Sequence, residues 1–321
     1  MKKFTRSAAF LLLCVWLLPA KVFAKELIPV GQVVGLELRD DTVTIAAFDE
    51  HLGAAAKAAG VSVGDQIISI DGSAIRSSQD VRRALERSDG TVDVAVLRGG
   101  AKKNYQLTPE ITASGPKLGL YLRQGVTGIG TVTYYDPDTK AFGTLGHGVN
   151  DSDGKLLQMV QGYAYNASVL TVRPGRAGDP GQLMGTVDAQ SPIGILSANT
   201  DRGVFGTSEV GWRGETVTVA SSDEVKTGPA VIRSTVSDNT VREYSVEILK
   251  IYPKSRQNGR NLLLRVTDPA LLEVTGGIVQ GMSGSPILQN GKLIGAVTHV
   301  LVNDPTTGYG IFIENMLDAA A

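Results

Sequence analysis

The sequence predicts a mainly β protein built from two domains. Three observations carry that reading: 38 glycines spread over 321 residues, short β-rich runs separated by turn residues, and few long stretches with helical periodicity. Regular short strands with Gly/Pro punctuation fit a barrel or a sandwich, and periodicity alone does not choose between them.

Residues 1–24 are set aside before any fold reasoning. Lys2, Lys3 and Arg6 make a basic start, Ala8 to Leu18 is an apolar run broken by Pro19, and Val22-Phe23-Ala24 offers small residues where a signal peptidase reads. The run is short against the roughly 20 residues of a bilayer span. It reads as a cleavable signal, with an uncleaved anchor as the alternative. Cys14, the only cysteine, lies inside it, and Leu13 stands where a lipoprotein site wants a small residue. The exported chain then has no cysteine, which excludes disulfides, thiolate metal sites and cysteine nucleophiles. Charge is nearly balanced, 31 basic against 32 acidic residues, with no Lys/Arg stripe for nucleic acid. The expectation is a soluble, extracytoplasmic protein.

The first domain is expected over residues 27–108. In Gly60-Val-Ser-Val-Gly-Asp-Gln-Ile-Ile-Ser-Ile-Asp-Gly72, Gly64-Asp65 makes a turn, Ile67 to Ile70 a strand, and Asp71-Gly72 a turn that tolerates positive φ. Ser77 or Ser78 caps a helix running to about Arg87, with Val81, Ala84 and Leu85 on one face. Thr91 to Leu97 closes with another strand. This stretch resembles a PDZ domain, with Val34-Gly35-Leu36-Glu37 in the place of the family's carboxylate-binding loop. The resemblance implies a peptide ligand that adds a strand to the sheet edge. The alternative is a PDZ that only packs on its neighbour.

The second domain is expected over residues 115–321, after a short linker at Ala113-Ser-Gly-Pro116. Gly130 to Tyr135, Ala167 to Val172, Thr216 to Ala220 and Tyr244 to Ile251 read as strands. The C-terminal order is more specific. Gly281-Met-Ser-Gly-Ser-Pro286 precedes strand-like Ile287-Leu288, a turn, the strand Leu293 to Thr298, the strand Gly308 to Ile313 and a helix from Glu314. A tight glycine turn is what a nucleophile needs if backbone N–H groups are to converge on a developing oxyanion. The order resembles the end of a chymotrypsin-like double β-barrel protease. By that resemblance Ser283 is the nucleophile, Gly281 and Ser283 supply the oxyanion hole, and Ser285 is the next serine to consider. His147, at a strand end opening into glycines, precedes the serine as the base does in such enzymes. His299 lies in an apolar strand and reads as a packing residue or pocket wall, and His51 has no second ligand-type residue beside it.

Asp136, Asp138, Asp151, Asp153, Asp201, Asp268 and Asp304 are all available as a third member. Phe142-Gly-Thr-Leu-Gly-His-Gly-Val-Asn-Asp151, Thr267-Asp-Pro269 and Thr275 to Ile287 through Ala296-Val-Thr-His299 resemble the SpoIVB (stage IV sporulation protein B) peptidases. The resemblance implies a triad of His147, Asp268 and Ser283 and no cofactor. It also implies export into the space between mother cell and forespore, with cleavage there of the chain itself and of a membrane-bound inhibitor of an intramembrane protease. On its own residues, Asp268-Pro269-Ala-Leu-Leu-Glu is equally a helix N-cap with proline in the first turn. Three scattered histidines without HExxH spacing speak against catalytic zinc, and Asp151-Ser-Asp-Gly154 reads as a turn, not a calcium loop. Two rival functions are a catalytically silent PDZ-containing scaffold and a Ser–Lys processing protease.

Overall fold

The structure is a computed structural model that describes residues 25–256 and 259–321; the expected signal segment lies outside the described residues. Two strands open the chain, β1 (Glu26–Pro29) and β2 (Val33–Arg39). The next elements are β3 (Val43–Phe48), α1 (Ala54–Ala58), β4 (Gln66–Ile70), β5 (Ser73–Ala74) and α2 (Ser78–Glu86). They continue with β6 (Val92–Arg98), β7 (Ala101–Leu107), β8 (Glu110–Thr112), β9 (Gly115–Lys117) and β10 (Leu120–Arg123). Of these strands, five form an antiparallel sheet in the order β10-β3-β4-β6-β7, with β5 paired to β4 and α2 beside it, and β8 and β9 pair with each other as a separate hairpin. Ser77 caps α2 by accepting the Asp80 N–H, and Val81 and Leu85 are its buried face.

Strands β11 (Val126–Tyr135), β12 (Ala141–Thr144), β13 (Gln161–Arg173), β14 (Gln182–Thr200), β15 (Gly203–Ser208) and β16 (Val217–Thr218) follow. The run β12-β15-β14-β13-β2-β11 closes on itself through the β11–β12 pairing, which makes a first six-stranded barrel. The second barrel closes in the order β17 (Gly228–Thr235), β18 (Val241–Ile251), β19 (Leu262–Val266), β22 (Asp304–Phe312), β21 (Lys292–Leu301), β20 (Pro286–Gln289). Helix α3 (Pro269–Thr275) follows β19, and α4 (Ile313–Ala320) follows β22. The barrel alternative is therefore the one adopted, twice.

The two domains are not in tandem. Strand β2 belongs to the first barrel, where it pairs with β11 from Val33↔Thr131 to Leu38↔Val126 and with β13 from Val34↔Asn166 to Arg39↔Gln161. The small sheet is an insertion between two adjacent barrel strands. Its neck is tied where the chain leaves and returns: the Gln124 side-chain amide donates to the Asp40 carbonyl at 2.8 Å. The expected carboxylate-binding loop, Val34-Gly35-Leu36-Glu37, is thus corrected to a barrel strand. Ladder bonds on both sides occupy its backbone, and Glu37 accepts from Arg39 at 2.7 Å and from the Tyr165 hydroxyl at 2.8 Å. Gly35 is a glycine because a Cβ there would overlap the Val187 methyls. The expected linker Ala113-Ser-Gly-Pro116 is likewise the turn of the β8–β9 hairpin.

A chain beginning at Lys117 lacks β1 and β2 and leaves long edges of β11 and β13 unpaired, so it is expected to aggregate on expression. Replacing Asp41–Arg123 by a short Gly/Ser linker keeps β2 and is expected to give a soluble protein with a cooperative melting transition by circular dichroism. A cooperative transition in the Lys117 chain would show that the barrel does not need β2.

Candidate active site

The base candidate is presented by a turn that the backbone forms against its preference. Gly146 N–H donates to the Thr144 carbonyl at 2.8 Å, closing a γ-turn around Leu145, whose φ is +67°. Positive φ at a branched residue costs on the order of 1–3 kcal/mol and needs surroundings that enforce it. The buried Leu145 side chain supplies them by packing onto Gly130, where a Cβ would overlap it. His147 follows, with Nδ1 bonded to the Gly148 carbonyl at 2.9 Å. Nδ1 donates in that bond, which leaves Nε2 with its lone pair. Burial holds the His147 pKa below the usual value, against the raising effect of the Gly148 bond. The imidazole is neutral at neutral pH.

Ser283 sits in a turn whose glycines have φ of +100° (Gly281) and +97° (Gly284). A Cβ on Gly284 would overlap the Thr131 carbonyl. Strand β11 holds the turn: Thr131 N–H donates to the Ser283 carbonyl at 2.9 Å, Thr131 Oγ1 to that of Gly281 at 2.8 Å, and Thr133 Oγ1 to that of Gly284 at 2.7 Å. The N–H groups of Met282, Gly284 and Ser285 have carbonyl acceptors. Among the described residues, those of Gly281 and Ser283 have none, which leaves two donors at the expected oxyanion position. Ser283 Oγ donates to the Thr298 carbonyl at 2.8 Å, so it must rotate to engage the imidazole. His147, Gly281 and Ser283 line one cavity of about 250 Å³ with the apolar Leu36, Leu38 and Ile129. Ser285 is fully buried and hydrogen-bonded to Ser234 at 3.0 Å, away from that cavity.

Asp268 is not brought to His147. It is the N-cap of α3, accepting the Leu271 N–H at 3.1 Å and the Ser245 N–H at 3.2 Å. Gly259, upstream of β19, lies against the Gly146 carbonyl. Asp268 lies beyond the other end of this five-residue strand, roughly 17 Å along at ~3.3 Å per residue. Of its two sequence readings the cap is the one realised. Three of the other candidate acids are engaged locally as well. Asp136 accepts the N–H groups of Asp138 and Thr139, Asp151 those of Asp153 and Lys155, and Asp304 binds Thr306 and Thr307. Among the described residues no carboxylate is hydrogen-bonded to His147.

His299, expected to be a packing residue or a pocket wall, has its ring 5.1 Å from that of His147. Burial first, then the charges of His147 and Arg260, push its pKa from 6.5 to about 4. Among the described residues no cluster of three or more metal-ligating side chains is present.

A second site escaped the sequence reading. An apolar groove of about 600 Å³ runs between α2 (Ser78, Val81, Leu85) and the segment Leu118-Gly-Leu-Tyr-Leu122. Strand β10 is the end of the sheet that borders this groove, so its outer edge can add a strand there. Gly119 has φ +65° and its carbonyl accepts the Asp49 N–H at 2.9 Å. The available signal was Gly119 between Leu118 and Leu120, a glycine flanked by branched apolar residues as Gly35 is by Val34 and Leu36.

Two expectations follow. Asp268→Ala should lower stability by about 1 kcal/mol through loss of the cap, Asp268→Asn much less, and neither should change turnover per folded molecule; a turnover collapse in a fully folded Asp268→Asn protein would restore it as the acid. As pH falls from 6.5 toward 4, an unfolded chain takes up a proton that buried His299 refuses, so stability falls across that window. His299→Gln should make this fall shallower in denaturant titrations between pH 7 and 4, and an unchanged slope would count against the burial argument.

Residues 34–108 match a PDZ domain and residues 115–317 match the SpoIVB peptidase S55 family. The PDZ match begins inside β2, although the inserted sheet begins at Val43. A protein bearing a zinc metalloprotease name in Rhizobium meliloti (strain 1021) is 36% identical over 100 residues, 31% of this chain and 26% of that one. A similarly named protein of Agrobacterium fabrum is 36% identical over 78 residues, 24% of this chain and 21% of that one. The chain thus spans about a quarter of the length of these relatives. Among solved structures, the PDZ domain of an SdrC-like protein from Listeria monocytogenes is 26% identical with a TM-score of 0.22, covering 26% of this chain and 87% of that one. The active form of the Rv3671c protease from M. tuberculosis is 13% identical with a TM-score of 0.37, covering 75% and 82%. The S55 match takes in nearly all of both barrels apart from the opening strands, and the chain belongs to the SpoIVB peptidase S55 family.

Proposed function

We propose that the protein is an exported serine endopeptidase in which Ser283 attacks the peptide carbonyl and His147 takes its proton through Nε2. The observation that carries this reading is the shared cavity that holds His147, Ser283 and the free N–H groups of Gly281 and Ser283. In the reaction Ser283 Oγ leaves the Thr298 carbonyl and donates to His147. The carbonyl carbon becomes tetrahedral and its oxygen takes negative charge beside the two N–H groups. The imidazolium then gives its proton to the departing amine, and water repeats the sequence on the acyl-enzyme. The Gly148 carbonyl orients the ring from Nδ1, the role a carboxylate plays in a triad. A neutral carbonyl stabilises the imidazolium less than a carboxylate does, and no cofactor enters.

The inserted PDZ domain supplies the substrate-presenting surface through the groove between α2 and Leu118–Leu122. The family's sporulation context supports a protein substrate that regulates an intramembrane protease, cleaved between mother cell and forespore, along with self-cleavage. The Ser283–Thr298 hydrogen bond also suits a silent scaffold, and a serine-directed probe decides between the two.

Ser283→Ala should abolish probe labelling and proteolysis, with a loss approaching the roughly million-fold seen when a serine-protease nucleophile is removed. His147→Ala should match it, while His299→Ala should keep measurable cleavage. The readout is intact-mass spectrometry of the protein and its substrate, and near-wild-type cleavage by Ser283→Ala would sink the assignment. Replacing Asp41–Arg123 by a linker should leave probe labelling in place while protein-substrate cleavage falls; equal loss of both would make the PDZ domain part of the catalytic fold.

A further inference from the structure

A cationic cluster beside the catalytic cavity has no role in the chemistry just described. His299, Arg256 and Arg260 gather round Tyr309: His299 is its ladder partner on β21, and the guanidinium carbons lie 5.8 Å (Arg256) and 5.3 Å (Arg260) from the ring centre. Arg256 also stacks on Tyr252 at 3.7 Å, and Lys250 Nζ sits 5.0 Å from that ring. Arg256 Nη1, Arg260 Nε and His299 Nδ1 are buried and, among the described residues, have no hydrogen-bond partner. Among the described residues neither arginine forms an ion pair, although Lys254, two residues from Arg256, pairs with Glu314 and Asp318.

Such an arrangement is costly when empty. A buried donor without an acceptor forfeits its hydration, and the penalty is larger on a charged group. Tyrosine faces supply cation–π attraction but no lone pair along the N–H direction. A planar guanidinium edge is satisfied best by a carboxylate held through two parallel bonds. The cluster also borders the bond-cleaving atoms. Ser283 Oγ reaches the carbonyl of Thr298, His299 is the next residue, and the His299 ring feels the Arg260 charge.

We propose that Arg260 and Arg256, with His299, form a subsite for an acidic side chain of the substrate, so that the peptidase prefers Asp or Glu within a few residues of the bond it cuts. This rests on the reading of Ser283 and His147 as nucleophile and base. The full chain supplies the ligand edge from its own residues, and the peptide supplies the missing acceptor.

The test uses the full-length protein and internally quenched peptides that differ only by Glu or Gln at each of the positions flanking the cleaved bond. The expected result is one or two positions where Glu raises kcat/KM about tenfold or more, the range of a hydrogen bond to a charged group, with the advantage shrinking as salt is added. Arg260→Gln should bring that ratio toward one, and Arg260→Glu should turn it toward Lys at the same position. A serine-directed probe is run alongside. Probe labelling with no Glu preference at any position overturns the subsite alone, and this outcome needs no variant. A preference that survives both Arg260 substitutions also overturns it. Absence of labelling in the wild-type protein overturns the nucleophile assignment and the subsite with it.

Discussion

Three hydrogen bonds from strand β11 to the Gly281–Gly284 turn are the constraint on which the site depends. The turn belongs by connectivity to the second barrel, since Pro286 begins β20. Its carbonyls are nevertheless satisfied by Thr131 and Thr133 of the first barrel, both fully buried. Buried carbonyls without donors would be expensive, so the barrels cannot separate here without exposing or orphaning these groups. Thr131 also uses its own carbonyl to accept the Thr144 hydroxyl at 2.6 Å, next to the strained turn that carries His147. One residue therefore ties the His147 segment and the Ser283 turn together. Glycine at 284 is what lets the backbones approach this closely.

That same geometry explains what could and could not be read from the residues. The turns that carry His147 and Ser283 were legible because each announces itself locally, His147 between glycines at a strand end and Ser283 in a turn whose flanking Gly281 and Gly284 have positive φ. Strands β18, β20, β21 and β22 of the second barrel, the α2 cap and the α3 cap were legible for the same reason, as turn and capping chemistry acts over three or four residues; β17 and β19 were not. Val34-Gly35-Leu36-Glu37 and Leu118-Gly119-Leu120-Tyr121 carry nearly the same chemistry, a glycine flanked by branched apolar residues. Pairing with strands about ninety to one hundred and thirty positions away makes the first a barrel strand, while the second borders the groove beside α2. No local rule separates them. Asp268 is the complementary case: its local chemistry pointed to a cap and a family motif pointed to a triad, and the cap is what the backbone around it satisfies.

Among the described residues His147 has no carboxylate partner, and this has a further physical consequence. With Gly148 as orienter, the imidazole is held by a dipole and sits in surroundings that already disfavour its charged form. Nearby positive charge from Arg260 works in the same direction on His299, beside it. The site thus favours neutral imidazoles at rest and resists the imidazolium that the proposed mechanism requires. An acidic substrate side chain would offset part of that field as it arrived, which links recognition of the peptide to the electrostatics of the base through ordinary Coulomb attraction.

The insertion topology closes the argument. In a tandem arrangement the peptidase barrel would owe nothing structural to the segment preceding the PDZ sheet. Here the chain leaves the barrel at the end of β2 and returns at the start of β11, and these are the strands whose Leu36, Leu38, Val126 and Ile129 wall the cavity of His147 and Ser283. The neck of the PDZ domain and the wall of the active site are one antiparallel pair. Gly125 makes the return at φ +73°, with no room for a Cβ beside the Leu38 carbonyl. The point where the small domain hangs is therefore rigidly specified by backbone packing, and it lies on the same two strands that shape the space where a scissile bond would sit.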